Sequence, residues 1–324
     1  MMEEKKRPAV EEYHRPVLLE QCLEGLKIRP DGIYVDGTAG GGGHSEAIAK
    51  CLTTGKLYSL DQDPDAIRQA GQRLAAYPQA KVLQTNFADM VSVLAKEGVT
   101  QVDGVLLDLG VSSHQLDEGQ RGFSYRTDAP LDMRMSQTGL SAADVVNTYD
   151  RDSLVRIFWE YGEEKFSRRV ADAIVAQREK KPIETTFELA ELIKGAYPAA
   201  ARRSKNPCKK VFQAIRIEVN RELDVLAQGL EAAFSLLKPG GRLAVITFHS
   251  LEDRLVKNTF ADYCTGCICP PEFPQCVCGR KPRAKKVTRK PITATETELA
   301  ENHRSHSAKL RVLEKLDTPP GEER

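Results

Sequence analysis

The apolar positions in the first third of the chain occur in short runs, and each run ends in an acidic or polar residue. These runs predict four buried strands that end near Asp36, Asp61, Gln84 and Asp108. Between them, apolar residues recur at helical spacing, as in the segment 65–77. Strands that alternate with helices in this way predict an open, mostly parallel and doubly wound α/β sheet.

A glycine-rich loop separates the first predicted strand from the helix that follows. Its core is the run Gly40-Gly41-Gly42-Gly43, and glycine permits positive φ values and the close approach of a ligand. The dinucleotide-binding spacing is absent, and the Lys-Ser/Thr pair of a phosphate-binding loop does not follow. The loop therefore predicts a nucleotide-like ligand without a pyrophosphate, of which S-adenosylmethionine (SAM) is the commonest. The alternative is a turn without a ligand, which the backbone entropy of consecutive glycines disfavours.

Acidic and aromatic residues at strand ends complete this predicted site. Asp61 lies about 20 residues beyond the loop, where α/β nucleotide-binding folds place an acid on the ribose hydroxyls. Phe87 follows the third strand and either stacks on an adenine or packs in the core. Asp36, Asp61 and Asp108 converge at the carboxyl edge of the sheet, where such folds bind ligands. Together these features predict a SAM-dependent methyltransferase with the seven-stranded class I fold.

The second half of the chain has a different pattern. Residues 117–208 contain helical patterns and no convincing strand, so we expect an inserted all-helical, substrate-recognition domain. One or two helices over 211–237 return the chain to the sheet, and 242–248 is a fifth strand with His249 at its carboxyl end. The predicted division is a mobile tail at 1–12, a SAM-binding domain made of 13–116 and 209–316, the insertion at 117–208, a cysteine-rich basic loop at 264–286, and a second tail at 317–324.

The charge of the chain is nearly balanced, with 47 basic and 46 acidic residues in 324, so any nucleic-acid surface must be local. Two basic clusters flank the insertion: Arg121, Arg126 and Arg134 beside Phe123 and Tyr125, and Arg202, Arg203, Lys205, Lys209 and Lys210. Basic residues among aromatics indicate single-stranded nucleic acid, whereas a solvated charged face is the favoured interpretation of the second cluster alone. No apolar run approaches a membrane span and the start lacks a signal-peptide core, which predicts a cytoplasmic protein.

Five of the eight cysteines lie between 264 and 278, and in a reducing compartment such clustering indicates a metal site. Cys264 and Cys267 have the spacing with which two thiolates bind one zinc, and Cys276 and Cys278 complete a tetrahedral set. Cys269 competes for one position. A bound zinc is expected to hold the basic run 280–286 against the RNA near the cleft, and the alternative is a reduced, mobile loop.

Several longer motifs resemble the RsmH (MraW) family, the bacterial 16S rRNA cytosine-N4 methyltransferases that act on the decoding centre. The resemblance runs from about residue 14 to 313 and includes Asp36-Gly37-Thr38, Gly42-Gly43-His44-Ser45, Leu106-Leu107-Asp108-Leu109-Gly110-Val111-Ser112-Ser113, Arg121-Gly122-Phe123-Ser124, Pro130-Leu131-Asp132-Met133-Arg134-Met135, Tyr161-Gly162-Glu163-Glu164, Phe212-Gln213-Ala214-Ile215-Arg216-Ile217 and Phe248-His249-Ser250-Leu251-Glu252-Asp253-Arg254. It implies 16S rRNA in the small ribosomal subunit as the partner. It also implies contacts to SAM from Gly42, Gly43, His44, Asp61, Phe87, Asp108 and Gln115, of which Gln115 rests on the resemblance alone.

The implied reaction asks the protein to hold a poorly nucleophilic amine in line with an activated methyl group. Hydrogen-bond acceptors on the amine would favour its reactive form and later take its proton. The candidates are Asp132, His249, the Leu109 carbonyl, Ser112 and Ser113. Asp132 could instead pair with Arg134, and His249 could instead cap the following helix. Phe123 or Tyr125 could stack on an extruded base.

Two other functions remain open at the level of sequence. One is a SAM-dependent enzyme that acts on a DNA base or a small molecule, although the Pro-Pro-Tyr-type motif expected of an amine methylase of DNA is absent after the fourth strand. The other is a non-enzymatic RNA-binding protein with a vestigial pocket, which the intact glycine loop and three acids disfavour.

Overall fold

The computed structural model describes residues 16–202 and 206–317. Within these ranges seven strands form one sheet in the order β3-β2-β1-β4-β5-β7-β6. Their bounds are β1 Ile33–Asp36, β2 Lys56–Asp61, β3 Ala80–Gln84, β4 Val102–Asp108, β5 Leu237–Thr247, β6 Ala284–Lys286 and β7 Lys309–Lys315. Strands β1 to β5 are parallel, β7 runs antiparallel to β5, and β6 runs antiparallel to β7. The predicted, mostly parallel sheet is therefore confirmed.

The strand order reverses at β1, which is bonded to β2 on one side and to β4 on the other. From β1 the chain moves outward through β2 and β3, and it then returns to start β4 on the opposite side. Such a switch point opens a crevice at the carboxyl ends of the two strands, where α/β folds bind ligands. Asp36 and Asp108 end these two strands.

Alternating side chains of the strands supply two separate cores, one on each face of the sheet. Val35 and Leu107 face a cluster covered by α4 (Met90–Lys96), α12 (Glu222–Leu236) and α13 (Ser250–Cys264). Tyr34 and Leu106, their chain neighbours, face the cluster under α1 (Leu19–Leu26), α2 (Gly43–Cys51) and α3 (Pro64–Leu74). Because both faces are covered at the centre of the sheet, residues 104–107 of β4 and 243–246 of β5 are buried and apolar without alternation, whereas the edge strands β3 and β6 are partly exposed.

A third core belongs to the helices between β4 and β5. After the short α5 (Ser113–Asp117), they are α6 Ala142–Thr148, α7 Arg151–Glu160, α8 Ser167–Arg178, α9 Thr186–Ala196, α10 Ala199–Arg202 and α11 Cys208–Asn220. The side chains of Ser141, Asp150 and Thr185 cap the starts of α6, α7 and α9, as such residues favour. The segment 211–237 forms two helices because Arg221 adopts a left-handed φ of 50° between α11 and α12.

The domain division stays a prediction. The packing of α11 bears on the boundary between the insertion and the second part of the SAM-binding domain. The predicted boundary at 208/209 falls in the first turn of α11, whose Val211, Phe212 and Ile215 pack in the third core with α7 and α9. Helix α14 (Glu296–Glu301) lies between β6 and β7. No helix among the described residues is long and apolar enough to cross a membrane. The predicted tail at 1–12, most of the tail at 317–324, and the basic residues Arg203 and Lys205 lie outside the described residues.

Candidate active site

The glycine loop and the strand ends enclose a cleft of about 440 Å³. The wall formed by the loop comprises Gly37, Thr38, Ala39, Gly40, Gly41, Gly43 and His44. The other walls are formed by Asp61, Phe87, Asp108, Leu109, Ser112, Gln115, Lys209, Gln213, Arg216, Asn220, Glu222, His249 and Glu252. The cleft therefore lies at the β1/β4 switch point and is bordered by α11 and by the start of α13.

Asp61 links the glycine loop to the start of α3. Its Oδ2 accepts the backbone N–H of Gly40 at 2.8 Å, and its Oδ1 accepts the N–H of Asp63 at 2.9 Å. Burial raises the pKa of Asp61 to about 6, although these two bonds oppose the shift. Each oxygen of a carboxylate can accept more than one hydrogen bond. Asp61 can therefore hold the loop and still accept bonds from a ligand in the cleft.

Asp108 carries a buried oxygen, Oδ1, that has no hydrogen-bond partner among the described residues. Its Oδ2 lies 3.6 Å from Nδ1 of His44, and Nε2 of that ring lies 3.0 Å from the Val17 carbonyl. Burial raises the pKa of Asp108 to about 6. An orphaned buried acceptor costs free energy unless a partner arrives, so the cleft is prepared for a ligand that donates a hydrogen bond here.

Asp36, the third acid of the predicted convergence, is fully buried under the loop. Its carboxylate accepts the Ser45 hydroxyl at 2.6 Å and the Thr38 N–H at 3.2 Å. It does not belong to the described lining of the cleft. Asp36 therefore fixes the turn between β1 and α2, while Asp61 and Asp108 line the cleft.

The two glycines predicted to contact SAM have different surroundings. Gly43 belongs to the lining, whereas Gly42 does not. Gly42 has a φ of 79°, and a Cβ built on it would lie 3.1 Å from the Cα of Ala70 in α3. Gly42 is therefore required by the conformation of the loop and by the close approach of α3. A side chain added at this position would point toward α3 rather than into the cleft.

Phe87 packs against the core and also lines the cleft, so its position is compatible with both alternatives for this residue. It packs against the core on the face of α12, where a Cβ on Gly229 would overlap its ring. It also lines the cleft. The contact with Gly229 fixes the ring so that its remaining surface is held toward the cleft.

Gln115 lines the cleft, but its amide is already engaged. Its Oε1 accepts the Ser112 N–H at 3.0 Å in a capping box that starts α5, and its Nε2 donates to Asp63 at 2.8 Å. Asp63 also accepts from Arg121 at 3.0 Å. Gln115 thus joins the end of β2 to the segment that enters the insertion. A ligand can form hydrogen bonds to the Gln115 amide only through the donor and acceptor positions that these bonds do not use.

Asp132, one of the two predicted catalytic residues, forms the structural pair that was its alternative. Its carboxylate accepts from Nε and Nη2 of Arg134, at 3.1 and 2.6 Å. Burial opposes ionisation, but the bonds from Arg134 hold the pKa of Asp132 below its usual value. The residue does not belong to the described lining of the cleft. The geometry therefore favours a structural role for Asp132, in which it fixes the conformation of the segment around Arg134.

His249, the other predicted catalytic residue, both lines the cleft and caps α13. Its Nδ1 accepts the N–H of Glu252 at 3.4 Å. Its Nε2 lies 3.1 Å from Oε1 of Glu252 without the angle of a hydrogen bond, and it has no hydrogen-bond partner among the described residues. Burial opposes the ionisation of Glu252, but His249 and Arg216 hold its pKa below its usual value. An ionised carboxylate therefore stands beside the ring.

Helix α11 turns a polar face to the cleft, which the sequence patterns above did not predict. Lys209, Gln213, Arg216 and Asn220 line the cleft, and their spacing of four, three and four residues is that of one helical face. Arg216 donates to both oxygens of Glu222, at 2.7 and 2.8 Å. The spacing was the signal that could have identified them.

The first predicted RNA-binding cluster is largely structural. Phe123 is buried in the third core, and Tyr125 packs edge-on against Phe212 with ring centroids 5.5 Å apart. Arg121 pairs with Asp63 and Asp65, as Arg134 does with Asp132. The proposal that Phe123 stacks on a base is therefore wrong. In the second cluster, Lys209 lines the cleft, while Lys210 donates to the Glu163 carbonyl at 2.5 Å.

The structure brings together a different set of four cysteines from the one predicted. The thiols of Cys267, Cys269, Cys276 and Cys278 lie within 4.8 Å of one another. Cys264 is not among them, because it ends α13 and packs partly against the core. The expected contact of the basic run 280–286 with RNA near the cleft stays a prediction, which the course of α13 disfavours. Helix α13 has 15 residues and starts at the cleft, so its end lies about 20 Å away.

Comparisons with known proteins identify the family of this chain. A family model described as the MraW methylase family matches residues 11–316. The ribosomal RNA small subunit methyltransferase H of Carboxydothermus hydrogenoformans is 55% identical over 305 residues, which are 94% of this chain and 98% of that protein. The protein of the same name from Brevibacillus brevis is 54% identical, over 94% of this chain and 98% of its own.

A solved structure, a putative rRNA-methylase from Clostridium thermocellum, matches with a TM-score of 0.44 and 12% identity over 94% of this chain and 100% of that chain. That likeness is loose, and the fold assignment rests instead on the strand order and the family match. These confirm the predicted seven-stranded class I methyltransferase fold. The chain belongs to the MraW methylase family.

Proposed function

We propose that this chain uses SAM to methylate the exocyclic N4 of a cytidine in the decoding region of 16S rRNA, in the small ribosomal subunit. The observation that carries the proposal is the cleft at the β1/β4 switch point, where Asp61 and Asp108 present carboxylates beside the glycine loop. The names of relatives that are 54–55% identical over 94% of the chain support the substrate class.

The residues of the cleft fit SAM. Its ribose hydroxyls and amino groups are donors, which suits the acceptors on Asp61 and the orphaned Oδ1 of Asp108. The ring surface of Phe87 suits an adenine. Gly43 and His44 complete the proposed binding set at the start of α2. Once bound, SAM would supply a methyl group that is already activated by its sulfonium.

The remaining wall of the cleft suits a cytosine amine. Leu109 and Ser112, one and four residues after Asp108, line the cleft, and the Leu109 carbonyl and the Ser112 hydroxyl can accept hydrogen bonds from N4. As the bond from N4 to the methyl group forms, the bond from sulfur to that methyl group breaks, and N4 gives up one proton.

We assign this proton to Nε2 of His249, since a carbonyl or a hydroxyl cannot retain it at neutral pH. Nε2 can take this proton only in the neutral tautomer that carries its hydrogen on Nδ1, so Nδ1 must first stop accepting the N–H of Glu252, a long contact of 3.4 Å. The ionised Glu252 carboxylate, 3.1 Å from Nε2, would stabilise the imidazolium that forms.

Purified protein, labelled SAM and small ribosomal subunits from a strain that lacks the gene provide the direct test. We expect label to enter 16S rRNA, and nuclease digestion to release it as N4-methylcytidine. Free cytidine and duplex DNA serve as controls for the two other substrate classes. Label in the duplex DNA, or on another atom of the rRNA, would overturn the proposal.

A further inference from the structure

The loop between α13 and β6 contains four free cysteines whose sulfur atoms converge. The Sγ atoms of Cys276 and Cys278 are 3.5 Å apart, and those of Cys267 and Cys278 are 3.8 Å apart. Cys269 completes the group, in which all four Sγ atoms lie within 4.8 Å of one another. Four thiols in this arrangement surround a single point, as the ligands of one metal ion do.

The spacing of the sulfur atoms matches one tetrahedral ion. A zinc with Zn–S bonds of about 2.3 Å holds its four sulfur atoms about 3.8 Å apart, by the geometry of a tetrahedron. An S–S bond of about 2.05 Å would need much closer pairs. All four residues are free cysteines. The arrangement therefore fits a mononuclear thiolate site better than a pair of disulfides.

The backbone of the loop also favours thiolates. The N–H of Ile268 donates to Sγ of Cys278 at 3.5 Å, and the N–H of Val277 donates to Sγ of Cys269 at 3.4 Å. Such bonds stabilise the charged sulfur that binds a metal and fix its orientation. Each of these two bonds joins a cysteine on one arm of the loop to a peptide N–H on the other arm.

Apolar packing does not account for the order of this loop. Its large apolar side chains are exposed, with 61% exposure for Ile268, 50% for Phe273 and 73% for Val277. The bases of the arms are fixed by polar contacts, where Arg280 donates to Asp262 at 2.7 Å and the N–H of Arg283 donates to the Tyr263 carbonyl at 2.8 Å. A metal ion commonly orders segments that cannot bury a core.

We propose that Cys267, Cys269, Cys276 and Cys278 bind one structural zinc ion. All four ligands come from the chain, which leaves no open position for catalysis. The site lies at the end of α13 remote from the cleft, about 20 Å away. Its existence does not depend on the methyl-transfer reaction, and its role is to hold the two arms of the loop together.

Metal analysis of the full chain, purified without chelator and under reducing conditions, tests the site directly. We expect about one equivalent of zinc, and loss of nearly all of it in a Cys267→Ser/Cys278→Ser double variant. The matched control is Cys51→Ser/Cys264→Ser, which removes an exposed thiol elsewhere and the cysteine at the end of α13; it should retain the zinc. Less than about a tenth of an equivalent in the wild type, or equal loss in the control, would overturn the proposal.

Two further measurements keep the test independent of the folding of the variants. Replacing zinc by Co²⁺ in the wild-type protein should give the thiolate charge-transfer and d–d absorption of a tetrahedral site with four sulfur ligands. Removal of zinc with a chelator should speed amide exchange in 265–283 and leave the glycine loop unchanged. An iron content equal to the expected zinc, or a Co²⁺ spectrum of an octahedral site with oxygen ligands, would contradict it.

Discussion

The Oδ2 atom of Asp61 accepts the backbone N–H of Gly40 at 2.8 Å. The acid at the end of β2 thereby holds the loop that follows β1, and the same carboxylate lines the cleft. The shape of the loop and the contact to a ligand consequently depend on one side chain.

Replacing Asp61 by alanine should weaken SAM binding by about 1.5–3 kcal/mol, the usual contribution of hydrogen bonds to a charged group. Isothermal titration calorimetry measures this loss. Asp31→Ala is the matched control, because its side chain is 72% exposed and lies outside the described lining of the cleft. Wild-type affinity in Asp61→Ala would remove Asp61 from the binding site.

The raised pKa values of Asp61 and Asp108, both about 6, make SAM binding dependent on pH. Both carboxylates must be ionised to serve as strong acceptors, and at pH 5 only about one in ten is ionised. We therefore expect the Kd for SAM to rise about tenfold per carboxylate between pH 7.5 and pH 5. Asp61→Asn should flatten the profile measured by calorimetry, and an unchanged slope would contradict the assignment.

The same raised pKa values of Asp61 and Asp108 make the ligand-free protein less stable as the pH rises. A carboxylate whose pKa is raised by folding holds its proton more tightly in the folded state than in the unfolded one, whose pKa is about 3.9. Its stabilising contribution is complete below about pH 4 and is lost as the pH rises through about 6. Asp108→Asn should diminish this loss in thermal unfolding curves.

Gly42→Val should destabilise the fold itself, since the residue has a φ of 79° and a Cβ would lie 3.1 Å from the Cα of Ala70. A β-branched residue adopts such a φ only with strain, and we expect a loss of about 2 kcal/mol or more of unfolding free energy. Gly41→Ala is the control, because its Cβ would meet only the end of the Gln69 side chain at 3.5 Å. Equal melting temperatures for the two variants would contradict this account.

His249→Asn separates the two roles of this residue. Asparagine is a good N-cap, so α13 and the melting temperature should be preserved, while the proposed proton acceptor is lost. We expect kcat to fall about 100-fold or more, the usual contribution of a general base, with little change in the Kd for SAM. The paired variant is Asp132→Asn, which should lower stability and leave kcat within a few-fold. Full activity in His249→Asn would show that His249 acts only as the N-cap of α13.

Much of the fold could be predicted from the sequence because the strands are buried on both faces and end in polar residues. Asp61 and Asp108 were identified at the cleft because the carboxyl ends of parallel strands share one edge of the sheet. The bond between Gln115 and Asp63 could not be predicted, since these residues are far apart in the sequence and meet only in the folded chain. The pair of Asp132 and Arg134 was one of two alternatives that the sequence left open, and the structure shows that pair.

The cysteine loop shows a second limit of sequence patterns. The two-residue spacing of Cys264 and Cys267 indicated a shared metal, but helix α13 continues to Cys264 and carries it away from the other thiols. Cys264 also packs partly against the core on the face of the sheet that α13 covers. The choice between Cys264 and Cys269 therefore required the structure.

The measurement that tests the central claim most directly is a map of methylated cytidines in 16S rRNA by mass spectrometry, from cells with and without the gene. We expect one N4-methyl group in the decoding region to be absent from the deletion strain, restored by the wild-type gene and not restored by Asp61→Ala. An identical map in both strains, or the loss of a methyl group from a different base or atom, would contradict the proposed function.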